Sequence, residues 1–185
     1  MSENSQEGSI ANIPFFKGLS TPDLMAIMGI AITKTLEKDE NIFSQDDPSD
    51  GLYVLLNGKL QIYIFSGFIG GASKILAELE PGQHVGEMGL IDGEPRSASV
   101  KALVHSEVLF IPAAGFSTVI ETRPEVARQV INTLCDLINN QPKLIINSER
   151  AALIKDKKLA PTLPNMKALC SILRLHNNKT AISSR

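Results

Sequence analysis

From residue 31 to residue 112 the hydrophobic period of the chain is two, and it is broken every few residues by Gly, Pro, Asp or Ser. The runs are "AITKTLEKDE", "NIFSQ", "GLYVLLNG", "KLQIYIF", "KILAELEPGQ", "SASVKAL" and "SEVLFIP". None is long enough for a helix of ordinary length, and their number and spacing predict a β sandwich or barrel. Asn57-Gly58, between "YVLL" and "KLQIYI", predicts a two-residue hairpin turn, because both residue types tolerate positive φ. The following "FSGFIGGASK" reads as a glycine-rich connecting loop with Phe68 and Ile69 at its tip.

Helical spacing brackets this β region. "IPFFKGLSTPDLMAIMGIA" predicts one short helix entered at Ser20, with Pro22 in the first turn and Asp23 placed to reach back to the cap. Residues 1–12 before it are polar and acidic, and are expected to be disordered. Beyond residue 112, Val126, Val130, Ile131, Leu134 and Ile138 form one apolar stripe, wide enough to pack on the barrel and leave a remainder for a twofold mate. Pro142 ends or kinks that helix, "PKLIINSERAALIKDKK" is amphipathic, and "NMKALCSILRL" predicts a last short helix. The expected domains are therefore 13–141 and a basic helical extension, 142–185.

Charge separates the same two parts. Residues 1–142 carry 9 Lys+Arg against 18 Asp+Glu, whereas residues 143–185 carry 9 against 2. With a net charge of −2, a general nucleic-acid binder is not expected, but the extension, over residues 143–175, suits an acidic protein partner. No apolar run reaches the ~18 residues of a membrane span, and the first residues do not resemble a secretory signal, so a cytoplasmic location is expected. Cys135 and Cys170 fall in no metal or redox spacing and read as reduced, buried thiols. The histidines, His84, His105 and His176, lack the convergent partners of a metal site or a nucleophilic triad, so no catalysis and no metal are expected.

The chemistry concentrates in residues 82–100, "GQHVGEMGLIDGEPRSASV". Arg96 offers a permanent charge with forked donors suited to phosphate, and Glu87 is an acceptor suited to hydroxyl groups, so the two together fit a ligand that carries phosphate and ribose. Gly86 and Gly89 allow close approach to the backbone. The plainer alternative is a Glu87–Arg96 ion pair that ties down a loop.

This segment resembles the phosphate-binding cassette of the cyclic nucleotide-binding domain family, whose usual form is F-G-E-[LM]-[AG]-L, five residues, then R-[SAT]-A-x-V. The resemblance extends over about residues 13–140, including Gly58 and "LEPGQ". It implies an eight-stranded jelly-roll-like barrel with flanking helices. It also implies a nucleotide site made of Gly86, Glu87, Met88, Gly89, Arg96, Ser97 and Ala98. Glu87 would take the ribose 2′-hydroxyl, Arg96 the exocyclic phosphate oxygens, and the amides of Gly89 and Ser97 the rest of the phosphate. Ser97 leaves both cyclic AMP and cyclic GMP open, with cyclic AMP preferred. His84-Val85 stands where the family favours aromatic residues, which alters the packing beneath the cassette. The chain then reads as a sensor whose C-terminal helices report occupancy, with no helix-turn-helix domain and no sequence-specific DNA binding expected, and with a homodimer expected. The competing reading is a degenerate, non-binding domain that works as an interaction module through its basic tail.

Overall fold

Each strand-like run in the sequence becomes a strand, and one more is added. The computed structural model describes residues 10–11, 13, 16–65, 73–139, 160–162 and 164–172. In chain order come helix α1 (Thr21–Met28) and strands β1 (Ile32–Leu36), β2 (Asn41–Phe43), β3 (Gly51–Asn57), β4 (Leu60–Phe65), β5 (Ser73–Leu79) and β6 (His84–Val85). Helix α2 (Glu87–Asp92), strands β7 (Ser99–Ala102) and β8 (Ser106–Pro112), and helices α3 (Ala113–Thr122) and α4 (Pro124–Asn139) follow. Residues 164–172 are helical. Strand β6 is two residues long, too short for any periodicity to reveal, and is held by the pairs Tyr53↔Val85 and Val54↔His84.

The strands form two four-stranded antiparallel sheets, β1-β8-β3-β6 and β2-β7-β4-β5. Between them lies a core built from Leu36, Tyr53, Leu55, Val108 and Phe110 of the first sheet and Phe43, Leu60, Leu79, Val100 and Ala102 of the second. The other face of the first sheet is covered by the helices, where Leu52, Val54, Leu109 and Ile111 join Ile27, Phe116 and the α4 stripe. Alternate residues of β3 thus enter different cores, which is why Leu52, Tyr53, Val54 and Leu55 are all buried.

The Asn57-Gly58 turn corrects the expected hairpin. Strands β3 and β4 belong to different sheets and do not pair with each other. Only Gly58 takes a positive φ, +99°, while Asn57 stays in the ladder opposite Glu107. A Cβ at Gly58 would overlap Ser106 Oγ and lie 2.6 Å from Ser106 Cβ. Lys59 N donates to that same hydroxyl at 3.2 Å, so the turn packs on the first sheet and carries the chain across to the second. The antiparallel neighbour of β4 along the chain is β5.

The helical layer follows its signals closely. Ser20 caps α1: Asp23 N donates to Ser20 Oγ at 3.4 Å, and the Ser20 hydroxyl donates back to Asp23 Oδ2 at 2.6 Å. Pro124 restricts Arg123 to extended backbone, φ −127° and ψ 92°, and so divides the helical region after residue 112 into α3 and α4. The expectation of a disordered start fails at its end, since Ile10 and Ala11 are helical and Ile10 is fully buried with Ile13 and Phe16. The α4 stripe leaves no remainder among its named members: Val126, Val130, Ile131, Leu134 and Ile138 are all buried within this chain, in one cluster with Met166, Leu169 and Cys170. Cys135 and Cys170 are both buried. Phe68, Ile69, Pro142 and the segment "PKLIINSERAALIKDKK" lie outside the described residues.

Candidate functional site

Strand β6 ends against β3, and the chain then turns sharply at Gly86, whose φ is +91°, to start α2. A side chain is excluded there twice over: the backbone is left-handed, and a Cβ would overlap Arg96 Nη1 and sit 2.9 Å from Gly51 O. Helix α2 is anchored by Leu90 and Ile91, which enter the helical core, and it closes at Gly93, whose N–H returns to Gly89 O.

Arg96 is held from the opposite side by the loop between β2 and β3. Its N donates to Asp47 O at 2.9 Å, and its carbonyl accepts from Asp46 N at 2.9 Å. Gln45 N donates to Ser99 Oγ at 2.8 Å, and Ser49 Oγ to Glu94 O at 2.6 Å, so the loop is stitched to both sides of the arginine. The Arg96 side chain is only 3% exposed. Nη2 donates to Asp50 Oδ1 and, at 2.8 Å, to Gly51 O. The guanidinium lies 4.0 Å from the centre of the Phe43 ring, a cation–π distance. Nε and Nη1 are buried with no hydrogen-bond acceptor.

That leaves a guanidinium whose Nη2 is satisfied by the protein and whose Nε and Nη1 want acceptors. A buried charge with unpartnered donors is costly by itself, and an anion supplies acceptors. Asp50 is shared: the Tyr53 hydroxyl donates to its Oδ2 at 2.9 Å. Burial above all, then the bond to Asp50 and its negative charge, hold the Tyr53 phenol above its ordinary range. Arg96 pairs with Asp50 and not with Glu87, so the plain loop-tying ion pair between Glu87 and Arg96 is absent.

Gly86, Glu87, Met88, Gly89, Arg96, Ser97 and Ala98 all line one pocket of about 190 Å³. Its apolar wall is made of Ile62, Leu76, Val85 and Val100. Leu76 reaches it through an irregularity: the pairing shifts from Ile62↔Ala77 to Tyr63↔Ile75, which leaves Leu76 without a partner across the ladder. Val85, one of the two residues that replace aromatics, serves both this wall and the inter-sheet core. Two larger grooves, about 380 and 390 Å³, flank Asp23 and Glu125. Among the described residues the buried unpartnered donors belong to Arg96, which lines the smaller pocket.

Sequence reasoning missed Asp50, Tyr53, Phe43 and Leu76. Asp50 is 46 positions from the arginine it holds, and only the fold brings them together. Among the described residues no cluster of His, Cys, Asp and Glu could hold a metal, and no helix is long and apolar enough to cross a membrane. His105 sits on the surface 3.2 Å from Glu37, and His176 lies outside the described residues.

Comparison with known proteins gives a consistent result. The profile of the cyclic nucleotide-binding domain matches residues 33–123. The cyclic AMP receptor protein of Thermus thermophilus is 31% identical over 117 residues, which cover 63% of this chain and 53% of that protein. A cyclic nucleotide-gated potassium channel of Mesorhizobium japonicum is 30% identical over 118 residues, covering 64% of this chain and 31% of the channel. The chain thus spans about half or less of the length of these relatives. Among solved structures, the N-terminal domain of a transcriptional regulator from Streptomyces coelicolor A3(2) superposes with a TM-score of 0.64 at 24% identity, covering 82% of this chain and 95% of that one, and so shares the fold. With two facing antiparallel sheets, flanking helices and a buried arginine behind a glycine turn, residues 33–123 belong to the cyclic nucleotide-binding domain family.

Proposed function

We propose that this chain is a cyclic nucleotide sensor that binds cyclic AMP in preference to cyclic GMP and has no chemistry of its own. The observation that carries the reading is the pair of buried donors without acceptors, Nε and Nη1, on Arg96, a residue that lines the same pocket as the glycine turn. In this reading the two donors take the exocyclic oxygens of the cyclic phosphate, and the amides of Gly89 and Ser97 complete its cradle. Glu87, not engaged by Arg96, takes the ribose 2′-hydroxyl, and Ile62, Leu76, Val85 and Val100 give the sugar and base an apolar wall. The preference for cyclic AMP is supported by the relative named as a cyclic AMP receptor protein. Output passes through α3 and α4, which share one apolar cluster with Leu90 and Ile91 of α2.

Calorimetric titration of the wild type and Arg96→Ala with cyclic AMP, cyclic GMP and linear 5′-AMP tests this reading. Truncating Arg96 leaves a partly buried phosphate without its partner, a loss of about 3–5 kcal/mol, or roughly two to three and a half orders of magnitude in Kd. Equal affinity of the two proteins for cyclic AMP rules out the site. Absence of binding by the wild type to either cyclic nucleotide makes the domain a degenerate member that acts through its tail.

A further inference from the structure

The hydrogen bonds that the protein gives the Arg96 guanidinium fall on one nitrogen: Nη2 reaches Asp50 Oδ1 and Gly51 O, while Nε and Nη1 have no acceptor. A planar group held at a single atom keeps the freedom to swing about that atom, and Asp50, being half exposed, holds it under competition from water. The contact that fixes the plane comes from Phe43. Arg96 Cζ lies 4.0 Å from the centre of the Phe43 ring, a distance that only the ring face permits, and Tyr53 adds a second ring at 5.8 Å. An irregularity in β2 brings Phe43 there: the pairing with β7 shifts between Asn41↔Lys101 and Phe43↔Val100, and Phe43 joins Val100 in the inter-sheet core. Among the described residues it is also the one aromatic side chain that lines the pocket. The ring is supported from behind, 5.8 Å from Tyr53, which in turn lies 4.7 Å from Phe110, and Lys34 Nζ sits 3.9 Å from the centre of Phe110. Three rings between two cations thus cross the core from β1 to the pocket, and Phe43 is the member closest to the arginine.

We propose that Phe43 is a positioning residue for anion binding: its ring face holds the Arg96 guanidinium in the plane from which Nε and Nη1 meet the phosphate of a cyclic nucleotide. This deepens the nucleotide reading above and rests on it. An arginine already held in its binding orientation gives up little conformational freedom when the anion arrives, whereas a loose one must be ordered at that moment, and the difference is read as affinity. A ring suits this role better than a second carboxylate, because it stabilises the buried cation from its face and occupies none of its donors. Nη2 is then the anchor, the ring sets the plane, and the remaining donors are left for the ligand.

The test uses the full chain as wild type, as Phe43→Leu, which keeps an apolar side chain but removes the ring face, and as Phe43→Tyr, which keeps the face. Circular dichroism shows which variants are folded. Each is titrated with cyclic AMP by calorimetry, and the Arg96 Nε–H resonance, identified by its loss in Arg96→Lys, is recorded before nucleotide is added. A proton close to a ring face resonates upfield, so this signal must stand apart from those of the other arginines. The expected result is binding about tenfold weaker in Phe43→Leu, with the resonance moved downfield, and both properties kept within about twofold in Phe43→Tyr. Unchanged affinity in a folded Phe43→Leu overturns the proposal and leaves the nucleotide reading standing. Weaker binding with an unmoved resonance also overturns it, since Phe43 then serves only as pocket wall, and so does a Phe43→Tyr protein that loses as much affinity as Phe43→Leu. Absence of binding by the wild type overturns the nucleotide reading and the role of Phe43 with it. Should Phe43→Leu not fold, the wild-type resonance decides: an upfield position supports the ring contact, and a position among the other arginines overturns it.

Discussion

Arg96 divides its guanidinium between the protein and the pocket, and the residues around it keep that division fixed. Gly86 is the tightest constraint, because its φ of +91° and the nearness of Arg96 Nη1 leave no room for a methyl group. Gly86→Ala is expected to displace the arginine, to cost about 1–3 kcal/mol of stability, and to weaken cyclic AMP binding; denaturant unfolding and calorimetry on the same variant check both. Tyr53 acts one step further out, through Asp50. Its raised phenol pKa means the folded state favours the protonated form, so the stability it contributes is intact below the ordinary tyrosine value of ~10 and is lost as pH rises through the raised one. Tyr53→Phe is expected to lower stability by about 1 kcal/mol at neutral pH and to flatten this alkaline loss, measured by urea unfolding across pH 8 to about 11. Arg96 and Glu87 were legible in the sequence because the segment holding them is contiguous. Asp50 and Tyr53 were not, because a partner 46 residues away leaves no periodic trace.

At the level of elements, alternation identified seven of the eight strands but not their assignment to sheets. A turn such as Asn57-Gly58 shows that the chain changes direction; whether the next strand pairs or crosses over depends on what the turn packs against, here Ser106. Gly58→Ala strains a φ of +99° and collides with Ser106, and is expected to destabilise by about 1–3 kcal/mol with little change in nucleotide affinity, since this corner is no part of the pocket. The link between α1 and the α3–α4 joint is ionic: Asp23 Oδ1 accepts from Arg123 Nη1 at 2.9 Å. The Ser20 hydroxyl first, then Arg123, hold the Asp23 carboxyl below its ordinary value. A depressed carboxylate contributes stability above the unfolded value of ~3.9 and loses it as pH falls through the folded one. Asp23→Asn should therefore flatten the acid limb of a thermal midpoint measured from about pH 6 downward.

Taken whole, the molecule has two strands, β3 and β8, buried on both faces, and one apolar cluster joining α2, the helices and residues 164–172. Ligand and fold should consequently respond as a unit. Cyclic AMP at a hundredfold its Kd adds about 2.7 kcal/mol, which for a chain of this size raises Tm by roughly 5–10 °C; coincident far- and near-ultraviolet transitions in differential scanning show the single unit. The sequence foresaw the two kinds of layer and the C-terminal helix, but not that this helix folds back, since the burial of Met166 in one cluster with Ile10 is written in neither segment alone. The aromatic packing has a practical corollary. The chain has no tryptophan and two tyrosines, one in each sheet. Tyr53 is bonded to the carboxylate that grips Arg96, whereas Tyr63 is bonded to Asn41 away from the pocket lining. The protein thus carries its own optical gauge: tyrosine emission titrated with nucleotide, repeated in Tyr63→Phe to leave Tyr53 as the lone fluorophore, reads the arginine's surroundings without any label.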